Sequence, residues 1–435
     1  MRKPSSLSRF ALVALIGALV VALLGSASLQ ALAQADQPTQ TPYPTQTPYP
    51  TSTPYPEPEG EPVGAEGDTG EADAAESEAE WTFAEDTFTS NYPNGFSFSA
   101  QLESSGGDVA RARVVWTHTP GTQRSRPAQY DAETDRWVAT WAATSGDAVP
   151  PWLGVTYVWE ATDTAGNSFQ SERVEVEYAD QTREWIRTEG SDIIVFTENL
   201  PEEVGQMVVE AMEEQRDLFE EAWGGLLPYK PRAILFGDFE AWEEWQITFV
   251  NPRILGTTSS DWGATVQRVS GTDYRDLAYG TVPHEIAHIY QDEFVGFLAV
   301  SWFNEGNATF FEANQQYDYL DRVRQIAASG RLPNLLQDSG PSIRGTNARD
   351  GYDIGYTFFR WLTDTYGVEA HRELMQAIRG GTGRNAALEQ VTGLSLAEIE
   401  SAWRVWLGAS DTAPTLFPTP TMFTFPTVTP FSFGS

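Results

Sequence analysis

Two histidines four residues apart, with a glutamate between them, stand in the run Tyr279-Gly280-Thr281-Val282-Pro283-His284-Glu285-Ile286-Ala287-His288-Ile289-Tyr290. On an α-helix residues i and i+4 share a face. Both imidazoles can therefore reach one metal ion, while Glu285 lies beside the ion's open position, placed to take a proton from water. The chemistry this pattern allows is metal-assisted hydrolysis. Only four histidines occur in 435 residues, which makes two of them at this spacing a specific signal. Proline is tolerated in the first turn of a helix, so Pro283 places the helix start near Thr281. A catalytic zinc needs a third protein ligand and keeps a fourth position for water. The run Trp302-Phe303-Asn304-Glu305-Gly306-Asn307-Ala308-Thr309-Phe310 predicts a second helix, which the apolar connection Phe294 to Ser301 brings back alongside the first.

Together these two segments resemble the gluzincin metallopeptidases, in which a second helix bears an Asn-Glu ligand motif. The nonapeptide from Trp302 to Phe310 is similar to that of the aminopeptidase branch. The resemblance implies a zinc-dependent peptidase with His284, His288 and Glu305 as metal ligands and Glu285 as general base. It also implies Thr309, one turn beyond Glu305, as a partner for a ligand histidine. Within that superfamily the chain is most similar to the bacterial peptidase MA-like domain, whose later helix resembles Tyr352-Asp353-Ile354-Gly355-Tyr356-Thr357-Phe358-Phe359-Arg360-Trp361-Leu362. The resemblance runs over residues 190 to 408. It has two departures. Asn307 stands where aminopeptidases carry a bulky apolar residue, and the strand Gly263-Ala264-Thr265-Val266-Gln267 lacks their amine-binding Glu. Both count against aminopeptidase activity and favour an endopeptidase or an undefined specificity. That strand is expected to receive an extended peptide by edge addition.

Acyl transfer also needs a donor for the oxygen that gains charge. Tyr352 and Tyr356, one turn apart on one helix, are the candidates, with packing against Phe359 as the other reading. His118 and His371 are expected to be structural. Asp292, Glu293 and Glu312 are expected as solvated acids or as partners of the ligands rather than as further ligands.

These residues need elements to hold them. A composition of 41% hydrophobic and 12% aromatic residues supports two folded units plus tails. Over residues 81–180, short alternating stretches predict strands at Phe96 to Leu102, Arg111 to Thr117, Trp137 to Ala142, Val155 to Thr162 and Arg173 to Tyr178. That rhythm predicts an immunoglobulin-like or fibronectin-like sandwich whose tryptophans serve its core rather than a sugar-binding platform. Over residues 181–410, strands at Ile193 to Thr197, Arg232 to Phe236 and Gly263 to Val269 surround a helix at Glu202 to Trp223, and helices follow Thr281. The expected fold class is therefore multidomain: an all-β immunoglobulin-like sandwich followed by an α+β domain. The resemblance makes the latter a zincin, thermolysin-like catalytic domain.

The ends carry other signals. Residues 1–33 read as a secretory signal peptide, with Arg2, Lys3 and Arg9, an apolar run from Phe10 to Leu24, and Ala31-Leu32-Ala33 before the cleavage point. Left uncleaved, the same run is a signal anchor attaching the chain to the cell envelope. Residues 34–80 are a linker in which the repeat Thr39-Gln40-Thr41-Pro42-Tyr43-Pro44 leads into an acidic stretch, and 411–435 are a Thr/Pro-rich tail. A net charge of -34 repels nucleic acid, and the resemblance implies a peptide or protein as the partner. The absence of cysteine excludes disulfides and thiol chemistry. The expected function is that of an exported zinc metallopeptidase, secreted or at the bacterial cell surface. The alternatives are an adhesion or glycan-binding protein on a zincin scaffold, or a gluzincin hydrolase of non-peptide substrates.

Overall fold

The computed structural model describes residues 79–411 apart from 119, 144–148, 246–255, 297, 299–300, 337–339 and 344–347. The expected signal peptide, nearly all of the linker, and the tail from residue 412 lie outside the described residues. No helix among the described residues is long and apolar enough to cross a membrane.

The first part is antiparallel β-structure in two sheets. Strands β1 (Trp81–Ser90), β2 (Gly95–Ser104), β6 (Arg136–Ala142) and β5 (Gln129–Asp131) form one in that order. Strands β4 (Arg124–Pro127), β3 (Val109–His118), β7 (Gly154–Asp163) and β8 (Ser168–Gln170) form the other, and β9 (Val174–Glu177) also pairs with β7. Alternation turns every second residue inward: Phe96, Phe98, Ala100 and Leu102 from β2 meet Val155, Tyr157, Trp159 and Ala161 from β7. Trp116, Trp141 and Trp159 are core residues, each at most 1% exposed. The five expected strands are present. β1 was not legible because a bulge between Ala84 and Thr87, with Glu85 at φ 52°, breaks its period.

The second part is built on a mixed sheet in the order β10 (Trp185–Glu189), β11 (Ile194–Glu198), β12 (Arg232–Phe236), β14 (Ala264–Arg268), β13 (Gly256–Ser259). The three inner strands are parallel and the two edges antiparallel. Helix α1 (Glu203–Trp223) makes the crossover from β11 to β12. The sheet buries apolar residues on both faces. Val195, Ala233 and Leu235 face the helices, while Ile194, Phe196, Ile234, Phe236, Ala264 and Val266 face the other way. One expectation is overturned here. The strand expected at Gly263 to Val269 has no open edge, because β13 covers it in the register Thr258↔Thr265 and Ser259↔Ala264. β13 is short, and its Gly256-Thr257-Thr258-Ser259 lacks the branched apolar residues that mark a strand.

The outward face of this sheet is covered by α2 (Phe239–Trp245) and by the sandwich. Trp152 stacks on Phe196 at 4.8 Å and 10°, and Arg232 donates to the Trp152 carbonyl at 2.6 Å and to Glu177 at 2.8 Å. The sandwich core thus continues into the sheet.

The remaining helices are α3 (Val282–Phe294), α4 (Ser301–Phe310), α5 (Tyr319–Ala328), α6 (Arg349–Tyr366), α7 (Val368–Arg379), α8 (Arg384–Thr392) and α9 (Leu396–Trp406). α3 begins at Val282, yet the helical path starts earlier, with a turn at Tyr274–Asp276 capped by Asp273 and a π-helical turn at Leu277–Thr281. The proline accounts for the π turn. Pro283 has no N–H to donate and its ring collides with a carbonyl four residues back. The wider turn moves that carbonyl, on Tyr279, to accept instead from Ala313 at 2.8 Å and Asn314 at 3.0 Å. The helix carrying the two histidines is thereby tied to the segment after α4.

Because the core is shared, a fragment beginning at residue 181 should expose Phe196, Phe236 and Val266 to water, at about 1.5–3 kcal/mol for each large side chain. Calorimetry should show that fragment melting well below one spanning 79–411, or aggregating. Equal melting temperatures would mean that the sandwich adds nothing to the sheet.

Candidate metal centre

His284 and His288 lie one turn apart on α3, and Glu305 comes from α4. The Glu305 Oε2 atom is 3.3 Å from His284 Nε2 and 3.5 Å from His288 Nε2, and one donor atom from each residue lies within 4.8 Å of the others. Donors held about 2.0–2.2 Å from a tetrahedral zinc are themselves about 3.3–3.5 Å apart, and the two contacts of Glu305 have that spacing, so this trio could hold a metal ion. The donor set, two imidazoles and a carboxylate, also suits a divalent transition metal.

α4 reaches this position because it crosses α6 with no side chain between them. A Cβ on Gly306 would stand 2.3 Å from Gly355 Cα, and one on Gly355 would stand 2.4 Å from the Trp302 carbonyl oxygen. The same crossing puts Tyr352 over the site. Its ring stacks on His284 at 6.0 Å and 24°, which brings its phenol under the influence of Glu305. Burial first, and then the Glu305 charge, push the Tyr352 phenol well up, so it stays a donor. Tyr356 goes elsewhere: it is 7% exposed and packs edge-on against Tyr319 at 5.7 Å.

Behind His284 stands Glu312, whose Oε1 is 2.9 Å from Nδ1. Its other oxygen accepts from the Tyr319 hydroxyl at 2.7 Å. Burial, the largest influence on His284, lowers its pKa but is outweighed by the bonds to Glu305 and Glu312 and the charges of Glu312 and Glu285, which take it up to about 10. For Glu305 burial again opposes the outcome, and the two histidines hold the carboxyl far below its usual range. Thr309, expected to support a histidine, instead donates to the Glu305 carbonyl at 2.7 Å, the usual back-bond of a threonine inside a helix. Glu312 occupies the place beside the imidazole.

Glu285 faces a cavity of about 290 Å³ bounded by the trio and Tyr352 and, further out, by Asp276, Gln316 and Arg349. Its Oε2 accepts from the Thr258 hydroxyl on β13. Arg349 is held by Asp353 at 2.8 Å and Tyr317 at 3.1 Å, and its guanidinium lies 5.4 Å from the Tyr352 ring. Thr258, Arg349 and Tyr319 were missed in the sequence because they sit outside both motifs. The one local sign was Asp353, an acid inside an otherwise aromatic helix that turns out fully buried among Arg349, Arg322 and Tyr317.

Asn307 also finds its reason. It is buried between Gln291 at 3.2 Å and His371 at 2.7 Å; His371 Nδ1 donates to the Ala222 carbonyl at 2.9 Å, so the neutral imidazole accepts at Nε2 from the Asn307 amide N–H, and the Asn307 oxygen faces Gln291. An apolar side chain there would leave two buried polar groups unpaired. His118 is buried in the sandwich, edge-on to Phe96 and Trp141. Asp292 accepts from Ser260 at 3.1 Å.

No protein-family model matches the chain, and no curated protein matches it. Among solved structures it is similar to an aminopeptidase N family protein from Idiomarina loihiensis, with 10% identity, 74% of this chain and 70% of that chain covered, and a TM-score of 0.29. It is also similar to a purple acid phosphatase from yellow lupin (Lupinus luteus) seeds, with 8% identity, 57% and 48% coverage and a TM-score of 0.19. A third likeness is to a polysaccharide deacetylase from Bacillus cereus, with 9% identity, 49% and 78% coverage and a TM-score of 0.17. At these TM-scores the reading of the site rests on its own geometry.

Two measurements test that geometry. Glu305→Ala removes a donor atom and should empty the site of zinc, whereas Glu312→Gln keeps the trio and should weaken binding about 10- to 100-fold. Metal titration of both proteins decides, and the reverse order would mean that Glu312 is the ligand. Separately, burial takes His371 down to about 4 from its ordinary 6.5, so it is neutral in the folded chain. The unfolded chain binds the extra proton first, so this contribution, about 3 kcal/mol, is present above pH 6.5 and is lost as pH falls toward 4. The melting temperature of His371→Gln should depend less on pH across that window than that of the wild type. Equal slopes would show that His371 does not stay neutral.

Proposed function

We propose that the chain is an exported zinc-dependent peptidase of the gluzincin kind. In this reading an immunoglobulin-like domain over 81–180 precedes a zincin domain over 181–410. The observation that carries it is the convergence of two imidazole Nε2 atoms on Glu305 Oε2, at 3.3 and 3.5 Å, with Glu285 one residue from His284 and facing the same cavity.

His284, His288 and Glu305 would hold the zinc, which supplies a polarised carbonyl and a more acidic water. Glu285 takes the proton of the attacking water and then delivers it to the leaving amine nitrogen, so that one carboxylate serves as base and acid in turn. Tyr352, kept protonated by burial, donates to the carbonyl oxygen as it gains charge. Glu312 accepts from His284 Nδ1 and so leaves the Nε2 lone pair to the metal. β13, the sheet's edge strand, offers its outer backbone groups to an extended peptide lying across the cavity. Tyr356, packed on Tyr319, takes no part.

Replacing Glu285 with Gln in the full chain should cost at least about a hundredfold in peptide hydrolysis while zinc stays bound. Tyr352→Phe should lower turnover on the order of a hundredfold at unchanged zinc content, and Tyr356→Phe should leave it intact. Cleavage of a peptide library followed by mass spectrometry, with and without a chelator, reads all three. Wild-type turnover in Glu285→Gln would sink the assignment.

A further inference from the structure

On the inner face of the mixed sheet, beneath Glu285, β14 turns two polar side chains toward α3. Thr265 is fully buried there and Gln267 is 4% exposed. Buried polar groups are costly unless paired, and these are paired in a line. Gln267 Nε2 lies 2.7 Å from Thr265 Oγ1, Thr265 Oγ1 lies 2.9 Å from Thr258 Oγ1, and Thr258 bonds Glu285 Oε2. The antiparallel register sets Thr258 directly opposite Thr265. Gly256 makes room for the head of the line, since a Cβ there would stand 1.9 Å from Gln267 Oε1.

The protons in this line can run only one way. A carboxylate accepts and cannot donate, so the single hydroxyl proton of Thr258 goes to Glu285. Thr258 must then accept from Thr265, whose own oxygen must accept from an N–H, and Gln267 Nε2 provides it. A Gln267 amide turned the other way would leave two oxygens facing each other, so the far end of the line dictates the amide orientation at its root.

Resting on the peptidase reading above, we propose that Thr258, Thr265 and Gln267 are positioning residues that hold Glu285 Oε2 against β13 and thereby aim its other oxygen into the cavity where water is activated. A glutamate on the exposed side of a helix samples several rotamers. Here the edge strand that would seat the substrate also fixes the base, so base and substrate share one frame. Rate depends steeply on such alignment.

The test uses the full chain loaded with zinc and a quenched fluorescent peptide that the wild type cleaves. Thr258→Val keeps shape and removes the donor, and it should lower kcat about tenfold or more with KM within about twofold, zinc content unchanged and melting temperature nearly so. Thr258→Ser restores the donor and should return kcat to within about threefold. Gln267→Leu, which removes the root donor, should lower kcat in the same direction. A crystal structure of Thr258→Val, which needs no turnover, should show the Glu285 carboxylate released from β13. Wild-type kcat in Thr258→Val, a Ser variant as impaired as Val, or an unmoved Glu285 would each overturn the proposal. Glu285→Gln run alongside separates the two levels. If it is inactive while Thr258→Val turns over at the wild-type rate, positioning fails alone; if it is fully active, the peptidase reading and the proposal fall together.

Discussion

The arrangement of the site depends on how closely two helices can approach. α3 supplies two imidazoles by its own periodicity, but the carboxylate must come from another helix and arrive within a few tenths of an ångström of a fixed point. The contact of Gly306 with Gly355 permits this, because a methyl group on either would fall inside 2.5 Å of the opposite backbone. Glu305 precedes one of these glycines and Tyr352 lies three residues before the other. One backbone contact therefore sets the distance of both side chains from His284.

A crossing without side chains packs well but is not directional, and polar groups fix its rotation. Asn307, next to Gly306, is tied to Gln291 on α3 and His371 on α7. The pKa of Asp353, beside Tyr352, is raised by burial, yet the residue is surrounded by Tyr317, Arg349 and Arg322, so Tyr317 and Arg322 clamp the start of α6 from outside the helix. Below α3, the line from Gln267 to Glu285 ties the same helix to the sheet. Such groups cost energy if left unpaired, so each pins an orientation that dispersion alone would leave loose.

Legibility in the sequence followed the range of the interaction. His284, Glu285 and His288 are related by one helical turn, and the inner strands of the sheet by strand periodicity, so local reading reached them. Glu305 needed a resemblance, because nothing local says which acid returns to the histidines; Glu312 lies only seven residues on. Thr309 was read from the resemblance and its place one turn beyond Glu305, neither of which could register that a threonine hydroxyl inside a helix prefers the carbonyl four residues back. The strand Ala264–Arg268 was placed correctly but its neighbour was not, since Gly256–Ser259 is small and polar and becomes a strand only through its partner. Tyr352 and Tyr356 share a helix face in the sequence, and tertiary packing against Tyr319 parts them.

Charge then decides what the geometry can hold. Glu285, Glu305 and Glu312 all act on one imidazole, strongly enough to overcome its burial and take His284 up to about 10. The centre therefore favours positive charge at that corner, and a proton and a metal ion compete for it. Glu312 weights the competition through the tautomer. By accepting from Nδ1 it keeps a proton on the side away from Glu305, so that when the imidazole gives up its other proton the Nε2 lone pair points to where the three side chains meet. A carboxylate outside the trio thus turns a histidine that could hold a proton at either nitrogen into one with a single free donor atom, aimed where Gly306 and Gly355 have brought Glu305.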